Sequence, residues 1–315
     1  MAVTKNAFSN IPKCDSGMTP RKRVLFTGIS GFLGWHFAKI SLHEWEIHGI
    51  ANSHPADINN AVVYQVDITD YEDIKSAMEK IRPDAVIHAA ALADPNECEL
   101  NPDRSYIINV EAVQNIAGLC ANRAIPFLFT STDLVFGGEH PPYSEDDVPN
   151  PVNVYGEHKA RAEELVLENY PNTLIVRLPL MFGDPGPVAS NFYQYMLGHL
   201  TEGTKLELFK DEYRSMLSGT EAVRGLLAFL GRHSGIVHLG GPDSISRYEF
   251  GLKLADVFGG RRDKFIPVSS HSVPAPPARP RDVSLTNFLA REWGFTPTSL
   301  EHQLKECYTE FSRNE

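Results

Sequence analysis

The sequence predicts an α/β fold: a doubly wound parallel sheet with helices on both faces, joined to a smaller C-terminal α/β lobe that takes the substrate. Three observations carry that prediction. Short apolar runs alternate with helix-period segments through the first 177 residues, an order that calls for right-handed crossovers. A glycine-rich turn, Thr27-Gly28-Ile29-Ser30-Gly31-Phe32-Leu33-Gly34, stands between the first strand and the first helix, as in Rossmann-like sheets. After Pro179 the alternation loosens, which marks the second lobe. The expected division is a flexible N-terminal tail over 1–21, a dinucleotide-binding domain over 22–178 and about 216–241, and a substrate-binding lobe over about 179–215 and 242–315.

Each element has its own reason. Val24-Leu25-Phe26 is short and apolar on both faces, as a buried parallel strand should be. Helical spacing follows over Phe32–Leu42, and Glu46–Ala51 and Val62–Val66 read as the next two strands. Tyr71–Lys80 is helical, and Ala85–His88 is another buried strand. Pro102–Asn122 reads as one long helix, with Asn101 at its N-cap and proline in its first turn. Pro126–Ser131 is a strand, Tyr155–Asn169 a helix, and Thr173–Arg177 a strand. Gly183–Pro187 is a loop. Further helices are expected over 191–200, 220–230, 247–258 and 300–312. Gly235–Leu239 reads as a late strand returning to the main sheet, and the proline run over 274–277 as a rigid connector.

Composition narrows the function classes. Hydrophobic residues make up 42% and charged residues 22%, which excludes a disordered chain. No apolar run is long enough to span a membrane, and the first twenty residues lack the apolar stretch of a secretory signal. Twenty-nine basic against forty acidic side chains give a net charge of −11, so nucleic acid is not the expected partner. Cys14, Cys98, Cys120 and Cys307 are far apart and form no CxxC, so neither a disulfide framework nor a metal site is expected. A reducing cytoplasm is the simplest setting. His43, His48 and His54 read as surface residues, and Phe192, Tyr193 and Tyr195 as packing.

The chemistry gathers in three places. In the glycine-rich turn, Gly28 allows a tight turn, Gly31 lets backbone approach a diphosphate, and Gly34 lets the helix pack closely on the sheet. Asp67, in Val66-Asp67-Ile68-Thr69-Asp70, ends the third strand and could accept from an adenine amino group; capping of the next helix, by Asp70 or Thr69, is the competing use of these side chains. Tyr155 and Lys159 stand at i and i+4 near a helix start, so both can point into one site. A nearby ammonium would lower the phenol's pKa from near 10 towards the working range. Twenty-three residues upstream of Tyr155, Ser131-Thr132-Asp133 ends a strand, where a hydroxyl can bond the substrate oxygen that Tyr155 protonates.

These features together resemble the extended short-chain dehydrogenases/reductases. The matching segments are TGISGFLG, VDITD, HAAALADPNECE, STDLVF and PNPVNVYGEHKARAEE. Within that superfamily the chain looks most like the dTDP-4-dehydrorhamnose reductase group, on STDLVF, NVYGxxK, Asn191-Phe192 and RPRDVSLTN from Arg279. The resemblance runs from about Arg23 to the C-terminus and thins beyond residue 180. It implies a Ser/Thr–Tyr–Lys triad on Thr132, Tyr155 and Lys159, with Ser131 as the fallback hydroxyl and a contact to the substrate. It implies cofactor contacts at Gly28, Ser30, Gly31, Phe32, Leu33 and Gly34, and at Asp67 and Ile68 beside the adenine. Ala89, Ala90 and Ala91 would line the ribose and nicotinamide side, with Asn109 near the cofactor and Pro179 beside the nicotinamide. Asn191 and Arg279 would meet a nucleotide-linked keto-sugar. Leu134 stands where the group usually has tyrosine, the stretch over 211–216 only loosely fits, and His88 varies, which leaves the sugar open.

The coenzyme is read from Ile50-Ala51-Asn52-Ser53-His54, at the end of the second strand. It has no carboxylate for a 2′-hydroxyl and no arginine for a 2′-phosphate, but Asn52, Ser53 and His54 can donate hydrogen bonds; NADP is favoured, with NAD open. The implied activity is an NAD(P)H-dependent reductase delivering hydride to a C4 carbonyl, with a homodimer an open expectation. Two alternatives stand beside it: a non-catalytic NADP-binding subunit resembling the regulatory subunit of methionine adenosyltransferase, and an epimerase or dehydratase that recycles its cofactor. For a dehydratase, Asp133 follows Thr132 but Leu134 leaves the acidic pair incomplete.

Overall fold

The computed structural model describes residues 21–41, 44–52, 56–272 and 278–314. The expectations placed on Ser53, on His43 and His54, on the tail before residue 21 and on the proline connector at 274–277 lie outside the described residues.

The first half alternates as expected. It runs β1 (Lys22–Thr27), α1 (Phe32–Ile40), β2 (Trp45–Ala51), β3 (Ala61–Gln65), α2 (Tyr71–Ile81) and β4 (Ala85–His88). It continues through α3 (Pro95–Leu100), α4 (Pro102–Tyr106), a π-helical turn (Ile107–Glu111), α5 (Ala112–Ala121), β5 (Phe127–Thr132), a 3-10 turn (Asp133–Val135), α6 (Val154–Asn169) and β6 (Leu174–Leu178). The second half holds β7 (Met181–Phe182), α7 (Phe192–Glu202), β8 (Leu206–Phe209), β9 (Tyr213–Arg214), β10 (Leu217–Ser218), α8 (Gly219–Phe229) and β11 (Gly235–His238). Beyond these come β12 (Ile245–Ser246), α9 (Arg247–Phe258), β13 (Phe265–Val268), α10 (Phe288–Glu292) and α11 (Leu300–Asn314).

Seven strands form one parallel sheet in the order β11-β6-β5-β4-β1-β2-β3, with β11 returning beside β6. Both faces are covered because successive residues point to opposite sides. Val24, Phe26, Ile87 and Leu128 face Phe37 of α1 and Leu226 of α8. Leu25, Val86, Phe127 and Phe129 face Ile74 of α2, Ile116 of α5 and Val166 of α6. A third core, with Phe182, Leu208, Phe250, Phe265 and Leu304, holds the C-terminal lobe. A small cluster of Val135, Phe136 and Tyr143 with Val283 and Leu285 ties the loop after β5 to the segment after Arg279.

The expected helix over 102–122 runs without a gap through α4, the π-helical turn and α5, Pro102–Ala121. Proline at Pro95 and Pro102 starts two short helices, and Asn101 ends the first instead of capping the second with its side chain. The π-helical turn then turns Asn109 fully inward, where its amide clasps both backbone groups of Leu92 at 2.9 Å. His48 is also buried rather than on the surface: it bonds Tyr64 Oη and Glu46 Oε1, each at 3.0 Å. Tyr195 is 62% exposed and so does not pack as expected, unlike Tyr193 at 3%.

Candidate active site

The crest of the sheet opens between β1 and β4, where consecutive connections leave in opposite directions. A cleft of roughly 560 Å³ lies there, lined by Gly28, Ser30, Asn52, Asp67, Ile68, Ala90 and Ala91. Those seven residues were expected from the sequence. Arg104, Ile107 and Ile108 also line it and were not; they belong to α4 and to the π-helical turn.

The glycines fit a close-approach site. Gly28 has φ +79°, and a Cβ on it would lie 2.8 Å from the Ala90 nitrogen, so a side chain is doubly excluded. No side chain caps α1 at Gly31, which leaves first-turn N–H groups available to an anion. Gly34 differs from expectation. A Cβ there would sit 2.4 Å from Ile29 O, so it admits the turn itself, and Gly49 of β2 makes the sheet-side room for the Ile29 side chain. Leu33 is buried in the core and Phe32 packs on His36 at 4.8 Å between ring centroids, so neither side chain faces the cleft. Asp67 Oδ1 accepts from Thr69 N at 2.9 Å and Thr69 Oγ1 at 2.7 Å, while Asp70 caps α2; capping and the cleft use different carboxylates. Ala89 is half-buried, its amide bonded to Thr27 O at 3.2 Å. Asn109 lies behind the cleft wall, holding Leu92. Pro179 is buried immediately beyond β6.

Beside this cleft the end of β5 meets the start of α6. Asn153 caps α6 by accepting from Gly156 N at 2.9 Å. A Cβ on Gly156 would lie 2.1 Å from Leu134 O, so this glycine lets the helix end press onto the turn after β5. That contact brings Tyr155 beside Thr132, whose hydroxyl favours the ionised phenol. Ser131 points to the opposite face of β5, and its buried Oγ has no partner among the described residues. Of the two hydroxyls, Thr132 is the one beside Tyr155.

The electrostatics differ from expectation. Burial pushes the Tyr155 phenol up, with Cys98 and the Asp133 carboxyl adding to the rise and Thr132 opposing it. The Lys159 ammonium is 2% exposed, donates to Thr130 O at 2.7 Å and lies 4.0 Å from the centroid of the Phe129 ring. Burial pulls it down to about 7, with Glu163 opposing. Glu163 is buried against Arg177 (Nη2 to Oε2, 2.7 Å). Asp133 is held up at about 6 by burial, against Arg214.

The expected substrate contacts divide. Asn191 spends its side chain on capping α7, accepting from Gln194 N and donating to Gly183 O, each at 3.0 Å. It is a structural residue here. Arg279 is exposed and lies near Arg247 and Arg214, whose charges, with burial, lower the Arg247 guanidinium while Glu212 raises it. Arg214 is itself buried on the Tyr213 and Pro280 carbonyls and faces Asp133, which leaves Arg279 and Arg247 as the guanidinium groups suited to a diphosphate. Arg214 and Arg247 went unread; both sit beside two-residue strands that periodicity cannot reveal.

Comparison with known proteins agrees with this architecture. The model of the RmlD substrate binding domain matches residues 22–313. The probable low-salt glycan biosynthesis reductase Agl14 of Haloferax volcanii is 31% identical over 91% of this chain and 97% of its own. Methionine adenosyltransferase 2 subunit beta of Xenopus laevis is 26% identical over 84% of this chain and 80% of its own. The crystal structure of dTDP-4-dehydrorhamnose reductase from Bacillus anthracis, in complex with NADP, superposes with a TM-score of 0.81 at 25% identity, over 92% of this chain and 100% of that one. The chain therefore belongs to the RmlD family of extended short-chain dehydrogenases/reductases.

Proposed function

We propose that this protein is an NADPH-dependent reductase of a nucleotide-linked keto-sugar, of the dTDP-4-dehydrorhamnose reductase type, acting on a C4 carbonyl. The observation that carries the reading is the Thr132–Tyr155 pair at the end of β5, beside a cleft built for a dinucleotide. The cleft fits the coenzyme: glycine where a Cβ would collide, an uncapped helix start, and Asn52 at the ribose end. NADPH, when bound, supplies the hydride.

The remaining chemistry belongs to the chain. Tyr155 holds the proton that the carbonyl oxygen gains, since its raised pKa keeps the phenol protonated in the resting state. Thr132 orients the oxygen. Lys159, clamped by Thr130 O and Phe129, holds the ribose hydroxyls and adds positive charge as negative charge develops on the carbonyl oxygen. Arg279 and Arg247 take the diphosphate, and the lobe over about 179–215 and 242–315 takes the sugar. Mixing the protein with NADPH and dTDP-4-keto-6-deoxyglucose tests the reading: one NADPH consumed per sugar alcohol formed is expected. Epimer formation or dehydration without net NADPH loss would replace it with a recycling enzyme.

A second reading is favoured by the likeness to methionine adenosyltransferase subunits. It makes the chain an NADP-binding regulatory subunit. A stoichiometric complex with a methionine adenosyltransferase catalytic subunit, with no NADPH turnover, would support it.

A further inference from the structure

Thr132, Asp133 and Tyr155 form a connected run of hydrogen-bonding groups that the reductase reading uses only in part. The Thr132 hydroxyl has one hydrogen and two acceptor positions. It accepts from the Leu134 amide at 3.2 Å and its oxygen lies 3.3 Å from Asp133 Oδ1; when that carboxyl is protonated it donates to Thr132, whose own hydrogen then turns to the neighbouring Tyr155 phenol. Asp133 is 3% exposed, and its Oδ2 has no hydrogen-bond partner among the described residues. Arg214 Nε stands 3.8 Å from that oxygen, too far for a hydrogen bond, and its other nitrogens bond the Tyr213 and Pro280 carbonyls at 2.6 and 3.1 Å. The charged and titratable groups facing Asp133 are thus Arg214 from β9 and Tyr155 from α6. Burial holds the carboxyl at about 6, so it carries a proton under mildly acid conditions. Lys159 donates to Thr130 O instead.

We infer that Asp133 returns to Tyr155, through the Thr132 hydroxyl, the proton that the phenol gives to the substrate. The inference rests on the reductase reading. As the carbonyl oxygen takes its proton, the Tyr155 O–H bond breaks. The phenolate takes the hydrogen of Thr132, and Thr132 takes the hydrogen of the Asp133 carboxyl. Three O–H bonds break and three form. The net transfer is one proton from Asp133 to the product hydroxyl, and the carboxylate left behind faces the Arg214 guanidinium. Hydronium or a buffer acid restores it between turnovers. In the direction of alcohol oxidation the same run carries the proton outward to Asp133. Asp133 acts through its neighbour and positions a proton; it does not touch the sugar.

Two measurements on the full chain loaded with NADP or NADPH test this. The first is the carboxyl infrared band in the difference between wild type and Asp133→Asn with NADP bound; a protonated-acid band should grow as pH falls through about 6. The second is steady-state reduction of dTDP-4-keto-6-deoxyglucose against pH. Asp133→Asn should lower kcat by about 100-fold, with NADPH affinity and sugar KM unchanged, and should lose the increase in kcat that wild type shows on acidification through about 6. Thr132→Ser should keep that increase and Thr132→Val should lose it, which separates the relay from any loss of fold caused by disturbing Arg214. Absence of the infrared band, or an Asp133→Asn kcat within a few-fold of wild type, overturns the relay while leaving the reductase reading intact. A wild type that binds NADPH but oxidises none overturns the reductase reading, and the relay with it.

Discussion

Gly156 offers a demanding test of how the site is assembled, because it touches no substrate and carries no functional group. A methyl group there would lie 2.1 Å from Leu134 O and 2.9 Å from Pro151 Cβ. The first neighbour is backbone, so it cannot rotate aside, and either α6 or the turn after β5 must retreat by roughly 1 Å to reach an ordinary contact. Overpacking of this kind costs about 1–3 kcal/mol. For a chain of this length the fall in Tm is about 2–5 °C. The displacement falls on the residue after Tyr155 and on the turn that begins at Thr132, so it opens the phenol–hydroxyl contact directly. A misplacement of about 1 Å at a reacting group can cost about 100-fold in rate. Gly156→Ala should therefore lower kcat by that order while leaving NADPH affinity intact, since the dinucleotide cleft is built from β1, β2, β4 and α4. Thermal unfolding, NADPH fluorescence titration and turnover measure the three effects separately. A Gly156→Ala variant with wild-type kcat and Tm would refute the claim that this contact sets the position of Tyr155.

The remaining predictions concern the cleft, the lysine and the substrate lobe. Gly28→Ala, with φ +79° and a Cβ 2.8 Å from Ala90 N, should abolish measurable NADPH binding by fluorescence titration; binding within a few-fold of wild type would count against the cleft. Lys159 is pulled down to about 7 in the fold from an unfolded value of about 10.4, so between those values the unfolded chain holds more protons and stability from this group rises with pH. The burial penalty is full below about 7, and urea unfolding should show wild type gaining on Lys159→Met from pH 7 to 10; a constant difference would contradict the depressed pKa. Asn191→Ala should cost about 1 kcal/mol of stability through the lost α7 cap, with sugar KM unchanged, whereas a raised KM at constant stability would restore the substrate role that the sequence implied.

The sequence made the sheet legible because parallel strands buried on both faces leave short apolar runs, as at Val24-Leu25-Phe26 and Ala85-Val86-Ile87. The cofactor side was legible for a related reason: Gly28 has a conformational requirement that few other residues meet. Tyr155 and the hydroxyl pair Ser131-Thr132 follow from local spacing along β5 and α6, whereas the cap at Asn153 was not read. What escaped depends on tertiary contact. The inward turn of Asn109 needs a π-helical insertion, which leaves no mark on a 3.6-residue pattern. Lys159 looked like the group that lowers the phenol's pKa because i and i+4 residues share a face. In the fold, the Thr130 carbonyl and the Phe129 ring draw the ammonium along the strand instead. Asn191 looked like a ligand because a cap and a binding amide are the same residue type. Arg214 joins β9 to the Pro280 carbonyl across 66 residues, a pairing no local window contains.

The central claim is that the Tyr155 phenol, set against Thr132 beside a dinucleotide cleft, protonates a keto-sugar as NADPH is oxidised. Single-turnover reduction of dTDP-4-keto-6-deoxyglucose by NADPH-loaded wild type and Tyr155→Phe tests it most directly. The account predicts one NADPH oxidised per site in wild type and a rate at least about 100-fold lower in Tyr155→Phe with equal NADPH affinity. Equal rates in the two proteins would contradict it.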